Sequence, residues 1–338
     1  MKYSKETLMF NKVLIEKDIL NTKKTQSILN KVKYQDLIEI DRYDEYFGKY
    51  KKPYLQKREN LNLYIAKKKG NLIKETPDAY GLSGDKHYYY IHQYNCIYEC
   101  EYCYLQGYFH SPDIVLFINH DEIINEMQKI MDQNQERVWF HAGEFSDSLA
   151  LSHITDEFAD YYAFLDKNPN ALIELRTKSV NTKALKGARE NLYITYSLSP
   201  QQKIKEIDLK TPSLKHRLSA INKLYQEGYK IGIHLDPIIY NDDFKENYQE
   251  FLDELNTAIP IKEIQYISIG VVRYTPNVWN EVKKNYPNSI MHKEELVKTE
   301  GNLIRYNKPM RMWILNTVEE MLYSYEIAKE KVYKCMEI

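Results

Sequence analysis

The chain has 338 residues, enough for one large α/β barrel or two ordinary domains. Hydrophobic residues make up 43% and charged residues 28%, a globular composition, and no run approaches the roughly 18 consecutive apolar residues that a membrane span needs. A formal net charge of −1 argues against a protein that coats nucleic acid.

The first 85 residues are predicted to form an N-terminal extension. Polar and charged residues interrupt its start where a signal peptide would carry an apolar stretch, so we expect a cytoplasmic protein. Residues 1–75 are Lys-rich and lack long apolar periodicity, which indicates a helical or irregular segment. Lysines and tyrosines interleave over residues 48–74, and this stretch is either a solvated surface or a patch that faces phosphate groups.

From residue 86 to residue 275, short apolar strands alternate with amphipathic helices. The predicted strands are residues 87–94, 137–143, 171–178, 192–199, 229–239 and 264–274. The predicted helices are residues 120–133, 152–168, 181–191, 213–228 and 244–259. Because such alternation implies parallel strands with right-handed crossovers, the sequence predicts an open sheet or a barrel, followed by a C-terminal extension over residues 276–338.

Polar or reactive segments follow each predicted strand, where enzymes of this architecture carry their chemistry. In chain order these segments read QYNCIYEC, FHAGEFSD, LRTKS, SLSP, HLDP and RYTP. Loops after strands are polar in most proteins, so a single segment indicates little. Their joint character favours an active site at this end of the strands.

Three of the four cysteines lie in CIYECEYCYLQG, residues 96–107, with the spacing C-x3-C-x2-C. In a reducing compartment such a cluster indicates a metal or redox site. A structural zinc site would need a fourth ligand, and the available residues are His92, His110 and Cys335. A [4Fe-4S] cluster bound by three thiolates leaves one iron open to a substrate, and that explains three thiols better. A chance cluster of buried thiols is the remaining alternative.

This spacing, on a loop after the first strand of an α/β repeat, resembles the radical S-adenosylmethionine (SAM) enzymes. The resemblance implies a partial (β/α)6 TIM-type barrel whose cluster is bound by Cys96, Cys100 and Cys103. It also implies that SAM chelates the fourth iron and that the reduced cluster cleaves it to a 5′-deoxyadenosyl radical, which abstracts a hydrogen atom. The cofactors supply this chemistry, while the protein positions the substrate and excludes water.

Within that superfamily, CEYCYLQ resembles the cluster loop of the spore photoproduct lyase family. The segments FSDSLALSHIT, LRTKS, YSLSP, SLKHRLSAINKLYQEGYKIGIHLDPI and VVRYTP extend the resemblance over about residues 50–338. It implies repair of thymine photolesions in DNA, with an electron donor such as flavodoxin or ferredoxin. The alternatives are a radical SAM enzyme that acts on a small molecule, peptide or tRNA nucleotide, and a zinc-binding module without enzymatic activity.

The family resemblance implies six residues that contact SAM: Tyr102, Gly143, Glu144, Lys178, Ser197 and Asp236. The tyrosine packs at the adenine, and the glycine and glutamate receive the amino group. The lysine suits the carboxylate, the serine contacts the same cosubstrate, and the aspartate accepts from the ribose hydroxyls. The structural alternatives are a helix N-cap for the glutamate, a solvated strand end for the lysine, a packed hydroxyl for the serine and a turn former for the aspartate.

The sequence departs from the family at the hydrogen-donor position. The lyase carries a cysteine shortly after the second strand, whereas Glu144 or Phe145 takes that place here and HAGEFSDSLA has no thiol. Tyr104 matches a tyrosine proposed to relay a hydrogen atom, although it could equally be a packed side chain. We therefore predict Cys335 as a replacement donor, provided that the C-terminal strand folds back over the barrel; otherwise it is a buried apolar thiol.

Two residues after the sixth strand are predicted to bind substrate. Arg273 and Tyr274 match an arginine and an aromatic residue on the substrate side of the lyase. An arginine beside an aromatic ring suits contact with a phosphate and stacking on a nucleobase. The alternative is a strand-end salt bridge with a packed ring.

Overall fold

The computed structural model describes residues 9–77, 84–293 and 295–337. Its strands are β1 Met9–Glu16, β2 Lys33–Ile40, β3 Leu63–Ala66, β4 Ile73–Glu75, β5 Lys86–Tyr90, β6 Gln93–Tyr94, β7 Glu99–Cys100, β8 Ile114–Phe117, β9 Val138–Ala142, β10 Ala171–Thr177, β11 Leu192–Ser197, β12 Asp208–Leu209, β13 Lys230–Ile238, β14 Tyr266–Val271, β15 Arg273–Tyr274, β16 Leu296–Thr299, β17 Leu303–Tyr306 and β18 Val332–Lys334.

The α-helices are α1 Lys23–Leu29, α2 Leu105–Tyr108, α3 His120–Asp132, α4 Ser152–Thr155, α5 Phe158–Lys167, α6 Gln201–Ile207, α7 Leu214–Gln226, α8 Phe244–Ala258, α9 Pro276–Asn285 and α10 Lys308–Tyr323. Short 3-10 turns lie at Lys17–Ile19, Tyr43–Glu45, Tyr54–Arg58, Ile261–Glu263, Ile290–Lys293, Glu300–Asn302 and Lys329–Lys331. Among the described residues, no helix combines the length and the apolar character that crossing a membrane requires.

An eight-stranded sheet carries the site, in the order β18-β14-β13-β11-β10-β9-β5-β4. Seven neighbouring strands run parallel, and only β4 is antiparallel to its neighbour. All six predicted strands are present, and β18 adds a seventh at one edge. The parallel order with helical crossovers confirms the predicted α/β fold, a partial (β/α)6 barrel of the TIM type.

The two faces of this sheet differ because side chains alternate along each strand. One face packs against the helices through fully buried residues such as Phe140, Ile173 and Ile233. On the other face, Trp139, Leu172 and Tyr266 pack together at the amino ends of the strands. The apolar layer closes that end, so polar side chains farther along the same strands are directed to the carboxyl end.

The N-terminal segment is not helical or irregular, and that prediction is wrong. It forms most of a second sheet, in the order β2-β1-β3-β8-β6, with α1 as the crossover between the parallel strands β1 and β2. Strand β2 is exposed along nearly its whole length and β3 has only four residues, so apolar alternation is weak in the sequence. Strands β6 and β8 come from beyond residue 85, and the domain boundaries at 85 and 275 stay predictions.

Three predicted helices are confirmed as α3, α7 and α8. The predicted helix at 152–168 is broken into α4 and α5, because Asp156 adopts a left-handed conformation with φ 53°. The prediction of a helix at 181–191 is wrong. There, tyrosine hydroxyls satisfy the backbone: the Lys186 N–H donates to Tyr162 Oη and the Gly187 N–H to Tyr229 Oη, both at 2.8 Å.

Candidate active site

The cysteine loop begins with a conformation that a buried asparagine holds in place. Asn95 has φ 62°, and its side-chain amide donates to the carbonyls of Ser111 and Asp113 at 2.7 Å each. Asparagine tolerates this left-handed region better than other side chains. The chain therefore turns sharply into Cys96 as it leaves β6.

Cys96, Cys100 and Cys103 pack within one small cluster together with Tyr98 and Ala150. Burial raises the pKa of Cys96 to about 12 and also raises the pKa of Cys100. Such thiols give up their protons when a metal binds. Among the described residues no three His, Cys, Asp or Glu side chains converge as ligands on one metal ion. The thiolates of a cubane bind different irons, so they need not converge on one point.

None of the three residues considered as a fourth ligand belongs to the thiol cluster: His110 is exposed on the segment after α2, and the other two make contacts elsewhere. His92 contacts Glu157 through Nδ1 at 3.0 Å and Ser146 through Nε2 at 3.1 Å. Cys335 donates its N–H to the carbonyl of Ile269 at 2.8 Å, in line with β18 at the edge of the large sheet. The donor set is therefore three thiols on one loop, which fits a cubane with one open iron.

A short antiparallel ladder fixes the middle of the cysteine loop, because β7 pairs with β12 and aligns Cys100 with Asp208. The hydroxyl of Tyr102 donates to the Asp208 carboxylate. Arg217, fully buried on α7, donates to the same carboxylate at 3.0 Å and to the carbonyl of Ser197 at 3.0 Å. One guanidinium thus connects the cysteine loop to the end of β11, where SAM contacts are predicted.

Lys178 follows β10 and faces the cysteine loop. Its ammonium group lies 5.5 Å from the centre of the Tyr102 ring, a cation–π contact. Burial lowers the pKa of Lys178, but the charges of Cys100 and Asp208 outweigh it and the net shift is upward. The side chain is therefore a cation beside the thiols, as the prediction of a carboxylate partner requires.

Gly143 follows β9 with φ 92°, and no other residue fits there. A Cβ atom would lie 2.8 Å from Ser148 Oγ and 3.0 Å from the carbonyl oxygen of Arg176. Glu144 comes next and does not cap a helix, because α4 begins eight residues later. The glycine is therefore required by the close packing of this loop against Ser148 and the end of β10.

Asp147 organises the same loop and was not among the predicted site residues. Its carboxylate accepts from the N–H groups of Leu149 and Ala150 and from the Thr177 hydroxyl, and it also accepts from the Lys178 N–H at 2.7 Å. The loop after β9 is thereby bound to the end of β10. The FSD segment carried a signal, since a serine-aspartate pair after a strand is typical of a turn that binds its own backbone.

Tyr104 lies at the rim, 38% exposed, and its hydroxyl donates to the carbonyl of Glu144. The Glu144 carboxylate lies 3.4 Å from the same hydroxyl. The predicted relay residue is therefore in contact with Glu144, one of the two residues predicted at the family's donor position.

Asp236, Arg273 and Cys335 meet at the carboxyl ends of β13 and β14. Arg273 forms a bidentate ion pair with Asp236, with N···O distances of 3.0 and 2.9 Å, and its Nη2 lies 3.5 Å from the Cys335 sulfur. Burial, followed by the Asp236 charge, raises the pKa of Cys335 to about 12. The C-terminal strand does not cover the barrel, yet its parallel pairing with β14 brings the thiol to this end.

The stacking role predicted for Tyr274 is contradicted. Its side chain is only 2% exposed, and its ring stacks on Trp279 with centroids 5.2 Å apart. A ring buried in this way cannot receive a nucleobase. Its neighbour Arg273 is paired with Asp236, and its side chain keeps 21% of its exposure.

A buried polar network in the barrel interior, near the carboxyl ends of the strands, was not predicted. The Glu174 carboxylate contacts His141 Nδ1, His234 Nε2 at 2.8 Å and Thr195 Oγ1 at 2.7 Å. Arg176 Nη2 donates to the same carboxylate at 3.3 Å. Burial opposes the negative charge, but Arg176 and the histidines hold the pKa of Glu174 well below its usual value. The alternation of Glu174 and Arg176 in an otherwise apolar strand was the available signal.

The N-terminal segment contributes a second unpredicted group. Lys57 is 5% exposed, and its ammonium lies 4.9 Å from the centre of the Tyr54 ring. Burial and Asp147 raise the pKa of Cys96, whereas the Lys57 charge lowers it. The Lys-rich stretch is therefore not wholly a solvated surface, because one of its lysines lies beside the cysteine loop.

A partial barrel of parallel strands, with a C-x3-C-x2-C loop after its first strand and polar groups at the strand ends, defines the radical SAM class. A family model described as spore photoproduct lyase matches residues 10–327. The chain belongs to the spore photoproduct lyase family, whose members use a [4Fe-4S] cluster and SAM. The predicted superfamily and family are confirmed, and the zinc-binding module is not supported.

Curated relatives are distant in sequence. The spore photoproduct lyase of Bacillus subtilis is 26% identical over 206 residues, which cover 59% of this chain and 60% of that protein. The spore photoproduct lyase of Clostridium acetobutylicum is 23% identical over 198 residues, which cover 57% of this chain and 59% of that one. The matched region thus spans about three-fifths of the length of these relatives.

Solved structures match over nearly the whole chain. A spore photoproduct lyase complexed with dinucleoside spore photoproduct has a TM-score of 0.81 at 18% identity, with 97% of this chain and 99% of that chain covered. A lyase variant with bound AdoMet and dinucleoside spore photoproduct has a TM-score of 0.79 at 17% identity, with 98% and 100% covered. At this identity the likeness shows the fold.

Proposed function

We propose that this protein is a radical SAM enzyme that reverses a thymine photolesion in DNA. The observation that carries the proposal is the packing of three thiols on one loop beside Tyr102 and Lys178. When bound, the cluster and SAM supply a 5′-deoxyadenosyl radical that abstracts a hydrogen atom. An electron donor such as flavodoxin or ferredoxin and a cytoplasmic location belong to the same proposal.

Residues around the loop hold the cosubstrate in this proposal. Cys96, Cys100 and Cys103 bind the cluster, and the Lys178 ammonium pairs with the SAM carboxylate. Five further contacts complete the set: the Tyr102 ring at the adenine, the Gly143 backbone and Glu144 carboxylate at the amino group, the Ser197 hydroxyl, and Asp236 at the ribose. A carboxylate has about four lone-pair sites, so Asp236 can accept from a hydroxyl while it binds Arg273.

Cys335 is the hydrogen-atom donor in this proposal. Because its pKa is raised to about 12, it is a thiol at neutral pH and carries the hydrogen atom that a donor must give. The S–H bond breaks as a C–H bond forms on the product radical. An external thiol or a one-electron donor with a proton then restores the cysteine. Tyr104 relays a hydrogen atom between the Glu144 side of the barrel opening and the substrate. Arg273 contacts a phosphate.

The test is anaerobic turnover of the reconstituted protein with dinucleotide spore photoproduct. We expect repaired thymine dinucleotide, and 5′-deoxyadenosine above the level seen with undamaged dinucleotide. Cys100→Ala is the control, because it should lack the cluster and give neither product. A wild-type protein that cleaves SAM only with a small molecule, a peptide or tRNA would contradict the DNA-repair proposal and leave the radical chemistry standing.

Cysteine variants separate the ligands from the donor. Alanine at Cys96, Cys100 or Cys103 should abolish iron incorporation, since each thiolate binds one iron. Cys335→Ala should retain the full iron content and the SAM cleavage activity but change the products formed from the lesion. Iron analysis and electron paramagnetic resonance (EPR) of the reduced proteins decide the first point. Loss of iron from Cys335→Ala would show that the ligand assignment is wrong.

A further inference from the structure

Two buried arginines hold a carboxylate beside the segment that carries Cys335. Arg305 on β17 donates from Nη1 to Glu337 Oε1 at 2.9 Å. Arg311 on α10 donates from Nε to both oxygens of the same carboxylate, at 2.9 and 3.1 Å. The three side chains are only 9% or 10% exposed, so these charges are weakly screened by water. Glu337 thus joins the segment to two other elements of the fold.

The arginines depend on this carboxylate because they lie close to other cations. Arg305 is directly opposite Arg273 in the antiparallel pairing of β15 with β17, and like charges in that arrangement destabilise a sheet. Burial lowers the pKa of Arg305, and the Glu337 charge opposes that effect. The charges of Arg311 and Arg273 act in the same direction as burial. Because Arg273 is paired with Asp236, Glu337 supplies the negative charge for the other two arginines.

Cys335 lies at the end of a short edge strand. Strand β18 has three residues and pairs with β14 alone, and the N–H of Cys335 makes the last hydrogen bond between them. Met336 then turns the chain with φ 58°. Strand ends of this kind open at low cost because few contacts must break. The ion pair of Lys334 with Glu319 holds the chain before the thiol, and Glu337 holds it after the thiol.

We propose that Glu337 is a positioning residue, which keeps the Cys335 thiol at the carboxyl ends of β13 and β14 through its ion pairs with the two arginines. The inference rests on the proposed function only for the use of that thiol as a hydrogen-atom donor. Transfer of the atom requires the sulfur and the product radical to be in contact, so a small displacement of the sulfur slows it. An open segment would carry the sulfur away from Arg273 Nη2, which it contacts at 3.5 Å.

The test is the rate at which iodoacetamide alkylates Cys335 in the reconstituted protein, followed by mass spectrometry of the peptide that contains residue 335. Cys335 is 6% exposed, so wild type should react slowly. Glu337→Gln removes the charge and should react at least about tenfold faster, the change that about 1.4 kcal/mol in local opening produces. Glu326→Gln is the matched control, because its ion pair with Lys262 lies before β18 at the surface, with side chains 79% and 54% exposed. Its rate should stay within about twofold of wild type.

Arg311→Gln breaks the same contact from the other side and covers the case in which Glu337→Gln fails to fold. It should also speed alkylation, and the combined variant should be no faster than Glu337→Gln alone, since both changes act on one interaction. With dinucleotide spore photoproduct, Glu337→Gln should cleave SAM like wild type but form the products of Cys335→Ala. A purely structural role for Glu337 would leave the products unchanged.

Alkylation of Glu337→Gln at the wild-type rate would overturn the inference, as would an equal rise in Glu326→Gln. Faster alkylation with wild-type products would also overturn it, because the thiol would then not need to be held in place. A wild-type protein that repairs no lesion would instead overturn the proposed function. The alkylation rates would still decide whether Glu337 holds Cys335, because they do not depend on turnover.

Discussion

At the residue scale, the site depends on positions where the backbone conformation restricts which residue fits. Gly143 is the clearest, because both its φ of 92° and the atoms within 3.0 Å of its missing Cβ exclude other residues. Asn95 is a second, since it combines φ 62° with two side-chain hydrogen bonds to backbone. Both flank the predicted cofactor site, where strained backbone is commonly retained.

Gly143→Ala should destabilise the protein and weaken SAM binding. The new methyl group meets the Arg176 carbonyl, which cannot move without disturbing β10, and the backbone strain alone costs about 1–3 kcal/mol. Gly70→Ala is the matched control, because Gly70 has φ 76° but nothing lies within 4 Å of the added Cβ. Urea unfolding and SAM titration measure the two effects. Equal losses in both variants would show that crowding at Gly143 is unimportant.

At the element scale, short segments outside the barrel strands hold the cysteine loop. The ladder of β7 with β12 and the α2–α9 contact clamp it from two sides. Arg217 on α7 connects one clamp to the end of β11. The predicted helix at 213–228 is thus more than a crossover, because its buried arginine determines where the loop lies.

Arg217→Met should cost about 3–5 kcal/mol of unfolding free energy, since it removes the cation hydrogen-bonded to the buried Asp208 carboxylate and leaves only the Lys178 charge nearby. We also expect less iron in the reconstituted protein, because Tyr102 and the β12 strand lose their anchor. Adding Asp208→Asn should recover part of the stability by removing the carboxylate charge that has lost its hydrogen-bonded cation.

Arg189→Met is the control for that change, because Arg189 pairs with Asp166 at the surface, where the side chains are 28% and 55% exposed. Its loss should cost at most about 1 kcal/mol. Chemical denaturation and iron analysis are the measurements. If Arg217→Met kept wild-type stability and iron content, Arg217 would have no role in holding the cysteine loop.

At the scale of the whole molecule, the interior of the barrel is polar where the strands end. Glu174 bonds to residues from β9, β11 and β13, so its charge links four neighbouring strands. Because the folded protein holds the Glu174 pKa below the ordinary 4.5, the stabilisation is fully present above that pH. It is lost as pH falls through the lower, folded value.

Glu174→Gln tests how the stability contributed by the Glu174 charge depends on pH. The variant should be less stable than wild type at pH 7, and the difference should shrink as the pH falls below about 4.5. Unfolding free energies measured between pH 7 and pH 3 check it. Glu190→Gln is the control, since that side chain is 92% exposed and its replacement should stay within about 0.5 kcal/mol. If the difference in unfolding free energy between wild type and Glu174→Gln grew as the pH fell, the predicted direction of the pH dependence would be wrong.

The sequence predicted the features that depend on residues close together in the chain and missed those that depend on residues far apart in it. The six strands, three of the helices and the order of polar strand ends follow local periodicity, and each is present. The N-terminal sheet was missed because β2 is exposed, β3 has only four residues, and two of the strands come from later in the chain. The failed helix at 181–191 has the composition of a helix, but tyrosines from two distant elements bind its backbone instead.

The sequence by itself determined the three-thiol loop and the strand ends around it, because ligands a few residues apart need only one local turn to come together. Tertiary structure alone decided that Cys335 meets Arg273, that Tyr274 is buried against Trp279 and that Glu174 joins four strands. Those contacts join residues up to 62 positions apart and depend on strand order and register. Local patterns do not encode either property.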